Sequence, residues 1–328
     1  AASHPIQAQS TRSISMTGKQ IRTINRILTK KVDAWLESIE DEGLRKKCKK
    51  DVIVTGGSIA SMLLGEEVND YDLYFKRYET TVAVAKYYLE KFQKGRKAKQ
   101  GGIGYSMSVE ELKDTLDRPR VRIVVKSAGI AGTEQTEDYQ YFETTDNSHT
   151  EDYVEEAFQN AEGEVTPEAQ EEKPEYHPVF LSSNAITLKG GVQLILRFHG
   201  DHEAIHENFD FVHCMNYWTR KEGVVVNNES LLALMSKTLV YRGSLYPVCS
   251  VFRAKKFIQR GWKINAGQYL KMAMQISELD LNNPVILEEQ LTGVDVAYFQ
   301  EVINKCKEKD GETIDTAYLM EIVNRMFG

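Results

Sequence analysis

Two aspartates stand one residue apart inside an apolar run, Asn69-Asp70-Tyr71-Asp72-Leu73-Tyr74-Phe75, within the longer segment VTGGSIASMLLGEEVNDYDLYFK from Val54 to Lys76. Side chains alternate across a strand, so Asp70 and Asp72 project from one face while Tyr71 and Leu73 project from the other. Two carboxylates held together repel, and partial burial raises their pKa values unless cations neutralise both. A pair of Mg²⁺ or Mn²⁺ ions ~3.5–4 Å apart does so, activating an attacking oxygen and stabilising a leaving one. On a purely structural account, Asp70 instead caps a turn.

Two aspartates are too few to hold two ions, and the reading calls for a third acid on an adjacent strand. Asn208-Phe209-Asp210-Phe211-Val212-His213-Cys214 offers one, because Asp210 interrupts an otherwise apolar stretch and would face the metals while its aromatic neighbours face the core. The alternative for Asp210 is an ion pair with an arginine in the core. Ahead of the aspartate pair, Gly56-Gly57-Ser58 makes a glycine turn entering a helix, which bares backbone N–H groups to an anion and lets phosphate approach without a Cβ clash. The Ser58 hydroxyl adds a donor. Further on, Arg253, Lys256 and Arg260 fall at i, i+3 and i+7, one helical face able to meet a triphosphate or a nucleic-acid backbone; a solvated basic face is the other reading. His199, His202, His206 and His213 lack a full ligand set and are read as surface histidines in a loop.

The elements that position these residues follow from periodicity. Ile21, Ile24, Ile27, Leu28, Val32, Trp35, Leu36 and Ile39 keep helical spacing, so Met16 to about Lys50 reads as helix with Thr17 as N-cap. DVIVTGG is a buried strand, SIASMLLGEE a short helix closing near Gly65, DYDLYF a strand, TTVAVAKYYLEKFQKG a helix and PRVRIVVKSA a strand. PVFLSSNAITL, VQLILRF and FDFVHCMNYW are strand-like, with HGDHEAIHEN as a polar turn. From about Asn228 the pattern is helical to the end. The resulting organisation is a flexible lead-in over 1–15, a mixed α/β (α+β) domain over 16–227, and an all-helical C-terminal domain over 228–328.

The 328 residues are enough for two cores. Their 41% hydrophobic and 27% charged composition is that of a globular protein, with no apolar run suited to a membrane span and no secretory signal pattern. Cys48, Cys214, Cys249 and Cys306 are scattered without zinc spacing, which predicts buried thiols in a reducing compartment, no structural zinc and no disulfides. The net charge of −7 conceals a division: fifteen acids against one base lie between Ala131 and Tyr176, and the rest of the chain is near +7. The acidic block reads as a mobile, solvated insertion, and the basic remainder suits a polyanionic partner.

Strand, Gly-Gly-Ser, helix, Asp-x-Asp strand and later acid together resemble the nucleotidyltransferase superfamily that includes DNA polymerase beta, poly(A) polymerases and CCA-adding enzymes. Gly57 and Ser58 match its first element, Asp70 and Asp72 its second and Asp210 its third, with the acidic block lengthening the gap before Asp210. PVFLSSNAITLKGGVQLILRF and FDFVHCMNYW are also similar to nucleotidyltransferase-like proteins of tailed phages, and YPVCSVFRAKKFIQRGW is similar to the basic helix following the palm in CCA-adding and poly(A) enzymes. The resemblance implies a mixed-sheet palm and Mg²⁺- or Mn²⁺-dependent transfer of a nucleoside monophosphate from a nucleoside triphosphate (NTP), with pyrophosphate released. The acceptor expected is an RNA 3′ end, tRNA foremost, in the cytoplasm, or the host cytoplasm for a phage product. Two alternatives stand beside it: toxin-like transfer to a protein or small molecule, and a non-catalytic binding or virion-associated protein that keeps the fold.

Overall fold

The computed structural model describes residues 18–97, 105–114, 116–127, 136–137, 175–181, 184–283, 286–287, 290 and 320. Expectations for residues 1–15, for most of the acidic block, for Cys306 and for the last two predicted helices lie outside that set.

Helix α1 (Ile21–Ser38) buries Ile24, Leu28, Val32, Trp35 and Leu36 on one stripe, as its periodicity requires. Each such side chain contributes about 1.5–3 kcal/mol on leaving water, and the Trp35 indole N–H is satisfied by the Tyr88 hydroxyl at 2.9 Å. The helix expected to continue to Lys50 stops at Ile39, and α2 (Glu42–Asp51) begins anew. The cause is local: the Asp41 carboxylate accepts from the Leu44 amide at 2.9 Å, an N-cap that the apolar spacing does not reveal.

Strand β1 (Val52–Thr55), α3 (Gly57–Leu64), β2 (Tyr71–Phe75) and α4 (Tyr78–Lys97) follow in the expected order, and α3 closes at a left-handed Gly65. Buried Asp51 accepts from Arg77 at 2.8 Å and from Thr80 at 2.6 Å, fastening the start of β1 to the chain leaving β2. A ribbon of β3 (Tyr105–Lys113), β4 (Pro119–Ser127) and β5 (Thr136–Glu137) packs against α4. Of these three strands, only β4 is announced by an apolar alternation in the sequence.

Then come β6 (Pro178–Leu181), β7 (Ala185–Leu188) and β8 (Val192–Ile195), the short helix α5 (His202–His206), a 3-10 turn (Val212–Cys214), β9 (Tyr217–Thr219) and β10 (Gly223–Val225). Seven strands form one mixed sheet in the order β10-β9-β1-β2-β8-β7-β6, in which β2 and β8 run parallel and the other neighbours antiparallel. One face of this sheet meets α1 and α4 through Val54, Leu73, Phe75, Val192 and Leu194. The other carries Ile53, Tyr74, Ile195 and Tyr217 beneath Ile205 and Phe209.

Three expectations fail here. FDFVHCMNYW is not one strand: Phe211 makes a lone bridge to Tyr241, the 3-10 turn follows, and only Tyr217–Thr219 joins the sheet. The polar turn HGDHEAIHEN contains α5, capped by Asp201 on the Ala204 amide at 2.9 Å. Beyond residue 227 lie α6 (Asn228–Ser236), α7 (Pro247–Gln259) and α8 (Ala266–Ser277), but the region is not all helical. Lys237 takes a left-handed conformation that ends α6, and β11 (Thr238–Leu239) pairs in parallel with β12 (Lys263–Ile264). Among the described residues, no helix is long and apolar enough to cross a membrane.

Candidate functional site

Gly56 stands between β1 and α3 with φ 108°, a conformation open to glycine and strained for other residues. A Cβ built there would lie 3.3 Å from Asp72 Oδ2, so the glycine allows the Asp-x-Asp strand to lie directly against the turn. Gly57, the residue matched by the resemblance, opens the helix without a positive φ. Ser58 is buried, and its hydroxyl has no hydrogen-bond partner among the described residues. An orphaned hydroxyl at a helix N-terminus, beside a cradle that a Cβ would fill, fits a phosphate group.

Asp70 and Asp72 are both partly exposed, with Asp72 against this turn. Their height is set from two sides. Val54 pairs with Leu73 across β1, and Asp72 pairs with Gln193 across β8. Gly190 and Gly191, both with positive φ, turn the chain into β8, and Gly191 O accepts from the Tyr71 amide at 2.8 Å. Lys31 Nζ donates to Gly190 O and sits 5.5 Å over the Tyr71 ring, fixing that turn to α1. Gln193 is buried and donates from Nε2 to Asp70 Oδ2 at 3.2 Å. Two adjacent carboxylates on hard-oxygen chemistry fit a divalent cation.

Asp210 does not join them. Its carboxylate is buried against α7, accepting from the Ser250 hydroxyl at 3.0 Å and lying 3.5 Å from Arg253 Nη1. The expected third metal ligand and one of the expected phosphate-binding residues therefore lie against each other, the ion-pair alternative for Asp210. Among the described residues, no three His, Cys, Asp or Glu side chains gather where they could share a metal. Lys256 is partly buried on α7, and Arg260 is exposed just past its last turn.

The histidines are also corrected. His206 bonds Thr55 Oγ1 through Nε2 at 2.7 Å, His202 stacks on Tyr217 at 4.0 Å, and His213 is enclosed by Phe257 at 4.7 Å and Trp262 at 4.3 Å. Burial pushes the His206 pKa down to about 4 and that of His213 to about 3, both from 6.5. Both are neutral in the native protein near pH 7. Depressed values mean that the unfolded chain binds more protons, so the stability is full above pH 6.5 and drains away as the pH falls through about 4 towards 3. Urea midpoints at pH 7.5 and 4.5 should fall in that order, and His213→Leu should recover about 2 kcal/mol of the loss. An equal drop in the variant would refute this cause.

Gln193 is the residue of this neighbourhood that the sequence does not single out, whereas His206 reads there as a surface loop histidine. Gln193 was legible only as a polar residue in an apolar strand, and His206 only as one of several histidines. Cys48, Cys214 and Cys249 are buried thiols, with burial lifting Cys48 and Cys249 to about 12.

A mixed α/β protein with a glycine turn set against an Asp-x-Asp strand is the class that fold and site define. The sequence model of the Gabija anti-defense 2 family matches residues 26–237, and the chain belongs to that family. A relative, Gabija anti-defense 2 of Bacillus phage SPbetaL7, is 22% identical over 116 residues, covering 35% of this chain and 29% of the relative. The match thus spans less than a third of that relative's length. Solved structures similar to the chain include the apo CCA-adding enzyme (13% identity, TM-score 0.37, 90% of this chain and 56% of that one). The Thermotoga maritima CCA-adding enzyme complexed with tRNA is another (12%, 0.34, 84% and 54%). This chain spans just over half the length of either enzyme.

Proposed function

We propose that this protein is a divalent-cation-dependent nucleotidyltransferase that moves a nucleoside monophosphate from an NTP to an acceptor hydroxyl and thereby serves an anti-defense role in the host cytoplasm. The observation that carries the reading is the approach of Asp72 Oδ2 to Gly56. It sets a carboxylate against an anion cradle, a juxtaposition that favours a phosphate and its counter-ion together. The backbone N–H groups at the start of α3 and the Ser58 hydroxyl bind the triphosphate. Asp70 and Asp72 hold the cation, which when bound neutralises phosphate charge and polarises the phosphorus under attack. Gln193 keeps Asp70 oriented by its 3.2 Å hydrogen bond, and the partly exposed carboxylates leave the face open to an acceptor.

An RNA 3′ end remains the acceptor proposed first, because a basic body suits a polyanion. The family's anti-defense description favours a second reading, in which the acceptor is a protein. Incubation with each α-labelled NTP, Mg²⁺ and a host-cell extract, followed by nuclease or protease digestion, separates them. Label lost to nuclease supports RNA, and label lost to protease supports the protein acceptor. No label in either fraction with any NTP would reject both.

A further inference from the structure

We infer that Gln193 occupies the place of a third metal-binding carboxylate, and that the site consequently takes up one divalent cation with its nucleotide and not a pair. The inference rests on the nucleotidyltransferase reading and deepens it.

Strands β2 and β8 are parallel neighbours, and Asp72 is in register with Gln193. Lateral partners in a parallel pair present their side chains to the same face. The hydrogen bond from Gln193 Nε2 to Asp70 Oδ2 at 3.2 Å puts the amide on the carboxylate face. At 3% exposure, Gln193 has little room to leave it. The register leaves no slack either: a Cβ on Gly191 would stand 3.1 Å from the Asn69 carbonyl, so the turn before β8 is pressed against the residue preceding Asp70.

The flanking strand on the other side offers no acid in compensation. Its last residue, Thr55, is fully buried, donates to the Asn216 carbonyl at 2.6 Å and is bonded to His206. Asp210 is held by Ser250 and Arg253.

The number of cations follows from the ligands. A cation that arrives with a triphosphate brings anionic oxygens of its own, so two protein carboxylates complete its shell. A second cation beside it must draw negative charge from the protein, and among the described residues the neighbour in register on β8 is a neutral amide that donates one N–H to Asp70. Burying an extra dication against a neutral group is unfavourable, whereas a carboxylate at the same position would offset that charge.

The test is a Mn²⁺ titration of the full chain, with saturating α,β-methylene ATP and a nucleotide-only control, read by the electron paramagnetic resonance signal of free Mn²⁺. Wild-type protein should bind one Mn²⁺ per nucleotide complex, and Gln193→Glu and Gln193→Asp should each bind a second. A second Mn²⁺ on the wild type would overturn the inference while leaving the nucleotidyltransferase reading intact. Variants that stay at one would overturn it too. Absence of nucleotide-dependent Mn²⁺ binding would sink both. Should neither variant fold, the wild-type count decides alone.

Discussion

Asp72→Ala should lower metal-dependent NTP turnover roughly a thousandfold, the scale on which removing one group that stabilises developing charge acts, while leaving the thermal midpoint unchanged or slightly raised. The carboxylate is partly exposed at the start of β2, beside the like charge of Asp70, so its loss relieves repulsion and opens no apolar cavity. The packing of β2 rests on Leu73, Tyr74 and Phe75, each at most 1% exposed, and none of these is touched. Asp70→Ala should behave alike, with the added consequence that Gln193 loses its acceptor. Turnover by Asp72→Ala within a few fold of wild type would remove Asp72 from the chemistry. A large fall in its thermal midpoint would mean that the carboxylate serves the fold.

The second large effect is expected at Gly56. Alanine there must adopt φ 108° and place its Cβ 3.3 Å from Asp72 Oδ2. The backbone strain costs about 1–3 kcal/mol, and relief is available only by moving the turn or the carboxylate. Gly56→Ala should therefore weaken nucleotide binding at least about tenfold, equivalent to about 1.4 kcal/mol, and lower the thermal midpoint by several degrees. Gly57→Ala should do markedly less, since Gly57 has no positive φ. Equilibrium dialysis with labelled ATP and a melting curve measure both. Equal affinities in Gly56→Ala and wild type would refute the cradle.

The order of these two glycines marks where the sequence was legible and where it was not. Strand, glycine turn, helix and Asp-x-Asp strand are contiguous, and each is announced by its own local signal: the apolar run before Gly56, the left-handed closure at Gly65, the alternation through Phe75. Which glycine bears the strain depends on the backbone angle, which composition does not encode. The break between α1 and α2 was hidden because Ile39 continues the apolar stripe while Asp41 caps a new start.

The third-acid expectation failed for a different reason. Asp210 between two phenylalanines has the pattern of a polar residue on a strand, but its environment is made by Ser250 and Arg253, some forty residues later, on a helix packed against it. Gln193 was passed over for the converse reason. Nothing within VQLILRF says that this strand lies parallel to the Asp-x-Asp strand with Gln193 level with Asp72; that is a fact of sheet order, set by packing far along the chain.

The central claim is nucleotide chemistry at the Asp70–Asp72 face, and pyrophosphate release tests it most directly. Purified full-length protein, Mg²⁺ and each of the four NTPs in turn, with host RNA and host protein supplied as acceptors, should release pyrophosphate with at least one NTP. The release should stop on adding a chelator and be absent in the Asp70→Ala, Asp72→Ala double variant. Release that persists in a folded double variant, or no release with any NTP and either acceptor, would contradict the account.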